Sequence, residues 1–415
     1  MNRKFTFLAA AVCAVASITT QAQVVNGEVA MGAGYANDVY YGLANQDTNS
    51  VDRADWDIAF YRKSNFSTGI RINDTKGIKV FEASNNISDW SSINASNIAN
   101  WAELYNSDEE WQTGAFNNGS ATYGWGVYNI ASHNVVGSVI FVLQYTNGDL
   151  VKLKIDRLVA TQGRYEFTYS KLVNGVWSED QTQNLVHTDV PNKVFNYFNF
   201  EAQQIVYPEP DENNWDLKFT KYFTPVAYNG GEMMYNVTGV LHAEWIKVAK
   251  TEGGNPTSED DYQSKINTIG YNWKTYSGSN YSIANTNHFI KNTTTNQIYK
   301  LVFTAFEGSS TGVVRFNYEN VTNTLGTTEI NKNKVGIYSD TNKRINIVYN
   351  GVGGQSNKVN VQIFSAIGQL VHQENYLPSQ SFTAKTLQLN HLPNGVYIVK
   401  LSSDDFNESK KVVLR

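Results

Sequence analysis

Few side chains in this sequence could ligate a metal or an iron cofactor. In the body of the chain the histidines are His133, His187, His242 and His288, and the methionines are Met31, Met233 and Met234. Cys13 is the only cysteine. A single thiol excludes a disulfide framework, a zinc-thiolate site, an iron–sulfur cluster and a cysteine nucleophile. The chain has no His-Glu-x-x-His, no Gly-x-Ser-x-Gly and no phosphate-cradling loop. Gly32-Ala33-Gly34 lacks a third glycine and has no helix pattern after it. The acidic loops at 209–212 and 259–261 lack the ligand spacing of a calcium loop. The expectation is therefore a protein that is not an enzyme and has no dedicated metal site.

The elements that must position these residues follow from size and composition. A chain of 415 residues with 41% hydrophobic side chains, 9 Trp, 25 Tyr and 20 Phe has enough bulky surface for two or three cores. Aromatic residues with abundant Asn, Thr and Val favour strands. A net charge of −5 offers no basic face for phosphate backbones, so nucleic acid is not an expected partner. Asn2-Arg3-Lys4, an apolar run from Phe5 to Ile18, and Thr19-Thr20-Gln21-Ala22 predict a cleaved secretory signal over 1–22. Val12 precedes Cys13 where a lipoprotein would need Gly or Ala. No later segment has the length and apolarity of a membrane-spanning helix.

The chain also repeats itself. Trp56-Asp57-Ile58-Ala59-Phe60-Tyr61-Arg62 matches Trp215-Asp216-Leu217-Lys218-Phe219-Thr220-Lys221, and each follows an aromatic stretch: Tyr40-Tyr41-Gly42-Leu43 and Tyr197-Phe198-Asn199-Phe200. Further on, Trp125 pairs with Trp273, Lys152-Leu153 with Lys300-Leu301, and Gly163, Phe167 and Tyr169 with Gly312, Phe316 and Tyr318. This order predicts two copies of one module, 25–172 and 192–322, with linkers at 173–191 and 323–334. The tryptophans read as core anchors, and the following aspartates as acceptors for backbone donors. Val139-Ile140-Phe141-Val142-Leu143 reads as a covered strand, and Asn147-Gly148 as a hairpin turn. Strict alternation over 151–156 predicts a strand with one wet face. Helix is expected nowhere for longer than two turns, except over 93–105. The fold class is all-β: two duplicated antiparallel β modules plus a small C-terminal β-sandwich.

The two copies resemble the HmuY-like family of secreted haem-binding proteins. The resemblance rests on Tyr-Tyr-x-Leu, on Trp-Asp-Ile-Ala-Phe-x-Arg, and on the late stretches from His288 to Phe303 and from Gly312 to Tyr318. It implies an all-β fold and, as ligand, haem or a related tetrapyrrole held by two axial side chains. One ligand is implied in the loop after the second conserved Trp, where the first copy has His133 and the second has Tyr281. The other is implied about thirty residues before that Trp, where the second copy has His242 and the first has neither His nor Met. Strand alternation places His242 with Val240 and Glu244, away from Leu241 and Trp245, as a rim ligand or a solvated histidine. Met233 and Met234 complete the candidates, with core filling as their alternative. Neither copy presents both expected ligands, which keeps two other readings open: a surface adhesin or structural protein, or a carbohydrate-binding protein.

The C-terminal end is similar to the type A sorting domain of the type IX secretion system. The residues that carry this are Val361-Gln362-Ile363-Phe364 through Gly368-Gln369-Leu370-Val371, then Leu392-Pro393-Asn394-Gly395-Val396-Tyr397, over 335–415. Ser339-Asp340-Thr341 departs from the family's Pro-Asn-Pro. The resemblance implies the type IX machinery as partner, cleavage of the tail, and a mature protein that is secreted or on the outer-membrane surface.

Overall fold

The computed structural model describes residues 23–187, 192–278, 280–322, 335–339, 343–350, 359–376, 382–403 and 406–414. The predicted signal and the linker 323–334 lie outside them. The chain forms two compact units, the first ending at Val321 and the second beginning at Thr322. All ladders among the described residues are antiparallel, so the all-β expectation holds.

The first unit opens with β1 (Val25–Ala30), β2 (Asn37–Tyr41) and β3 (Thr48–Asp52). A 3-10 turn at Arg53–Asp55 and Trp56 lead into β4 (Ile58–Tyr61) and β5 (Ile70–Ile72). Next come β6 (Lys79–Ser84), β7 (Glu103–Leu104) and a hairpin of β8 (Gly126–Asn129) and β9 (Asn134–Gly137). β10 (Ile140–Gln144), β11 (Leu150–Val159) and β12 (Arg164–Val173) form the main sheet of this half. β13 (Val176–Trp177) and β14 (Gln181–Val186) then pair with β12. Within the expected linker 173–191, Val176–Trp177 and Gln181–Val186 are thus strands.

The second half repeats the order. β15 (Phe195–Asn199) and β16 (Gln204–Val206) precede a 3-10 turn at Glu212–Asn214 and Trp215. β17 (Leu217–Tyr228) and β18 (Gly231–His242) form a long hairpin, followed by β19 (Ile246–Thr251). A short hairpin of β20 (Lys274–Tyr276) and β21 (Tyr281–Ile283) leads to β22 (Asn287–Asn292), β23 (Ile298–Phe306) and β24 (Val313–Asn320).

The halves exchange their leading strands. β1 pairs with β24 and β2 with β17, while β14 pairs with β12 and β15 with β4. The register is the same in both directions: Leu217, Lys218 and Phe219 face Tyr41, Tyr40 and Val39, as Ile58, Ala59 and Phe60 face Phe198, Tyr197 and Asn196. Met31 and His187, at matching positions, each donate their N–H to a glycine carbonyl, Gly312 and Gly163. Each half thus covers an open edge of the other, which would otherwise present unpaired backbone groups. The cores follow this exchange. Val29, Val39, Tyr41 and Leu43 pack with Phe219, Phe303 and Phe316, and Leu185, Phe198 and Phe200 pack with Phe60, Tyr165 and Phe167.

Two expectations are corrected. Residues 93–105 form no α-helix: Ile87–Ser92 and Ala95–Asn100 are 3-10 turns, because the Asn86 and Asn94 side chains accept backbone N–H groups locally. The wet face of 151–156 is covered at Lys152. Its amine lies 4.1 Å from the Trp90 ring centroid and 5.0 Å from that of Trp177, beneath a satellite cluster that includes Ile93 and Trp101.

The second unit contains β25 (Val335–Ser339), β26 (Arg344–Asn350) and β29 (Phe382–Gln388) in one sheet. β28 (Leu370–Tyr376), β27 (Val359–Ser365), β30 (Gly395–Ser403) and β31 (Phe406–Leu414) form the other. Ile345, Ile347, Val361, Val399 and Leu414 belong to a single core shared by both sheets, the expected sandwich.

Candidate functional site

The β17–β18 hairpin is longer than its core requires. Its arms are twelve residues each, and burial fades beyond Thr224 and Val237. Asn229 and Gly230 turn the chain with φ of 49° and 81°, which suits the twist of a tight hairpin. Alternation then brings Val226, Tyr228, Met233 and Tyr235 to the wall of an open groove. Tyr276 and Tyr281 of the β20–β21 hairpin, with ring centroids 5.0 Å apart, help line it. Tyr35, at φ 59°, comes from the leading segment of the first half and stacks on Phe306 at 6.1 Å. The groove encloses about 760 Å³.

Its polar groups are few. Asn236, Thr238, Asn272 and Thr275 line it, and the side-chain oxygen of Asn236 is buried without a partner. Lys274 lies over the Trp273 ring at 4.4 Å and the Phe306 ring at 4.8 Å, and donates to the Thr238 carbonyl at 2.5 Å. Burial pushes this amine down to about 7. Burial, with the neighbouring Tyr281, pushes the Tyr35 hydroxyl up to about 12.

Of the five residues expected to ligate haem, the structure brings Tyr281 and Met233 together in this groove. Met234 alternates to the other face of β18, opposite Pro225. His133 sits at the exposed tip of the β8–β9 hairpin, with its Nδ1 2.7 Å from the Tyr128 hydroxyl. His242 is corrected from the expected rim to the interior. It is 0% exposed, its N–H donates to the Ile266 carbonyl, and its Nδ1 lies 2.8 Å from the Ala243 carbonyl. Its alternation failed as a guide because both faces of β18 are covered there: Val240, Leu241 and Ala243 are all buried. Burial holds the ring down to about 4, so it stays neutral. Iron in a porphyrin needs an axial donor over an apolar slot. Tyrosine oxygen and methionine sulfur qualify here, whereas no histidine lines the groove among the described residues.

Where the halves join, buried charges hold the exchanged strands rather than face a ligand. Asp38 lies 2.8 Å from Arg53 and 2.9 Å from Lys218 and accepts from the Thr220 hydroxyl. Burial favours its neutral form, but Lys218 and Arg53 outweigh that and keep it below the usual carboxylate range. Arg71 donates to the carbonyls of Ser107, Glu110 and Thr113, fixing the loop that carries Trp111. The cavity beside them is only about 50 Å³, room for water rather than a ligand. The two aspartates after the repeated tryptophans accept backbone donors from the other half: Asp57 from Phe200, and Asp216 from Leu43.

Residues 340–415 match the family of secretion system C-terminal sorting domains. The chain is thus an exported all-β protein with a type IX sorting tail, delivered to the cell surface or released. Among the described residues no helix is long and apolar enough to cross a membrane. No curated protein matches the chain.

Proposed function

We propose that this is an exported carbohydrate-binding protein of the cell surface or its surroundings, which holds sugar chains in the tyrosine groove. The observation that carries the reading is the lining itself: exposed tyrosine faces beside amide and hydroxyl groups, with the Asn236 side-chain oxygen unpaired. Aromatic faces stack on the C–H faces of sugar rings, and the amides and hydroxyls exchange hydrogen bonds with ring hydroxyls. Binding rather than cleavage is the reading, because glycoside hydrolysis uses a pair of carboxylates and, among the described residues, no carboxylate lines the groove. Surface delivery suits adhesion to, or capture of, extracellular glycans. The test is a panel of oligosaccharides offered to the full secreted chain, with Tyr235→Ala and Tyr276→Ala alongside. Binding weakened at least about tenfold by each change is expected. Binding that both variants retain sinks the groove.

A second reading is haem, favoured by the placing of Tyr281 and Met233 in one groove and by the HmuY-like resemblance. A haemin titration separates the two. A Soret shift abolished by Tyr281→Phe, in a protein that binds no sugar, replaces the carbohydrate reading.

A further inference from the structure

We propose that the groove's ligand carries a carboxylate, as a glycan containing uronic acid does, and that Lys274 is the group that pairs with it. This rests on the carbohydrate reading of the groove.

Lys274 lacks a counter-charge. It lies half-buried over the Trp273 and Phe306 rings, and its amine meets only backbone carbonyls, Thr238 at 2.5 Å and Tyr271 at 3.4 Å. An ammonium has three donors, and these two contacts leave one. Among the described residues no Asp or Glu lines the groove. Lys218, more deeply buried, has the counter-charge that Lys274 lacks: Asp38 lies 2.9 Å from its amine. The contrast shows in their protonation. Burial alone acts on Lys274 and pulls it down to about 7, whereas the Asp38 charge outweighs burial and raises Lys218.

A desolvated cation without a partner is unfavourable, and an anion entering the groove would correct this. The other titratable groups lining the groove are tyrosines: Tyr35 from the leading segment, Tyr228 and Tyr235 from the long hairpin, Tyr271, and Tyr276 and Tyr281 from the short one. None of them brings a carboxylate that would compete with a ligand anion. One ammonium suits one carboxylate, and the aromatic walls suit the sugar ring that bears it. Pairing favours the protonated amine, so binding takes up a proton, and affinity falls as pH rises above 7.

The test uses oligomers of galacturonate, alginate and hyaluronan, each beside its methyl ester, which keeps the ring and removes the charge. Titration calorimetry on the full secreted chain at pH 7 is expected to show one acid oligomer binding at least tenfold tighter than its ester. Lys274→Met should remove that preference and Lys274→Arg should keep it. Between pH 7 and 9 the acid should weaken and the ester should not. Equal binding of acid and ester, or a preference that survives Lys274→Met, overturns the proposal. If only neutral sugars bind, the carboxylate is wrong and the groove stands. If no sugar binds in either form, the carbohydrate reading falls and takes this proposal with it.

Discussion

The two halves of the first unit share a strand order, an exchange and a register, yet the tyrosine-lined groove rises on the second. The difference lies in one hairpin. In the first half β4 and β5 are four and three residues long. Their counterparts β17 and β18 have twelve each. The extra length rises from the core and faces β20–β21. In the first half the matching hairpin, β8–β9, carries Tyr128 and the tip residue His133, with Phe66 at 6.0 Å from the Tyr128 ring. Phe66, Val127 and Ile130 stay open to solvent there. Thus the exchanged core sets the scaffold, and a loop-level extension sets the site.

The largest expected effect breaks the symmetry of the exchange. Asp57 is fully buried, accepts the Phe200 N–H at 2.6 Å and pairs with Lys76 at 2.7 Å. Asp216 accepts the Leu43 N–H at 2.8 Å and the Asn292 amide at 3.2 Å, without a cation. Asp57→Ala should cost about 3 kcal/mol, because it strands a lysine as well as a backbone donor. Asp216→Ala should cost about 1–2 kcal/mol. Urea denaturation measures both. A single cooperative transition of residues up to 321 is expected in each, since neither half keeps its edges without the other. Two separated transitions would mean that the exchange does not couple the halves.

The sequence shows why part of this was legible. Strands such as β10 and β24 were readable from their apolar pattern, and the duplication from aromatic motifs in fixed order. The exchange was not readable. Tyr41 and Phe198 sit in nearly identical surroundings, so the local sequence is the same whether a strand joins its own half or the other. His242 was misplaced because alternation assumes one wet face. Its apolar neighbours Val240, Leu241 and Ala243, which fall on both faces, were the available warning. The groove was missed because its residues are largely exposed and scattered over four segments, around Tyr35, 226–238, 271–281 and Phe306. Its signal was present in Asn229-Gly230, flanked by Tyr228 and by Met233 and Tyr235 on alternate positions.

A smaller effect concerns pH. Glu209 accepts the N–H groups of Val194 and Phe195 and the Tyr197 hydroxyl at the start of β15. Burial still pushes it up to about 7, and Asp74 up to about 6. Their contribution to stability is complete below the ordinary carboxylate range and is lost as pH rises through 6–7. The histidines act oppositely. Burial holds His187 and His242 near 4 and His288 near 3, so their contribution is present above about 6.5 and is lost as pH falls toward 4. Glu209→Gln should flatten the loss between pH 5 and 8, by up to about 2–3 kcal/mol relative to the unchanged protein. The matching loop of the first half has no such acid; Asp52 is exposed and caps the Ala54 N–H. An unchanged pH slope in Glu209→Gln would show that this asymmetry carries no energy.

Trimming the long hairpin makes the second half resemble the first. Removing 226–228 and 231–233 joins Pro225 to Asn229 and Gly230 to Met234, and keeps the Pro225–Met234 pairing. Stability should change by no more than about 0.5 kcal/mol, because the removed residues are largely exposed. Oligosaccharide binding should fall at least tenfold, because Tyr228 and Met233 leave the groove wall. Binding that persists would place the site elsewhere.

The smallest effect is expected where the first half most resembles a site in sequence. His133 occupies the hairpin tip at φ 54°, is exposed, and touches only the Tyr128 hydroxyl through its side chain. A hydrogen bond between exposed side chains competes with water and contributes little. His133→Ala should therefore change stability by less than about 0.5 kcal/mol, and His133→Gly should be no worse, since glycine favours this positive φ. Neither should alter sugar binding, because the groove draws nothing from β8–β9. The same variant bears on haem. If a Soret shift exists and His133→Ala removes it while Tyr281→Phe does not, the first half is the binding half, and the long hairpin of the second serves another purpose.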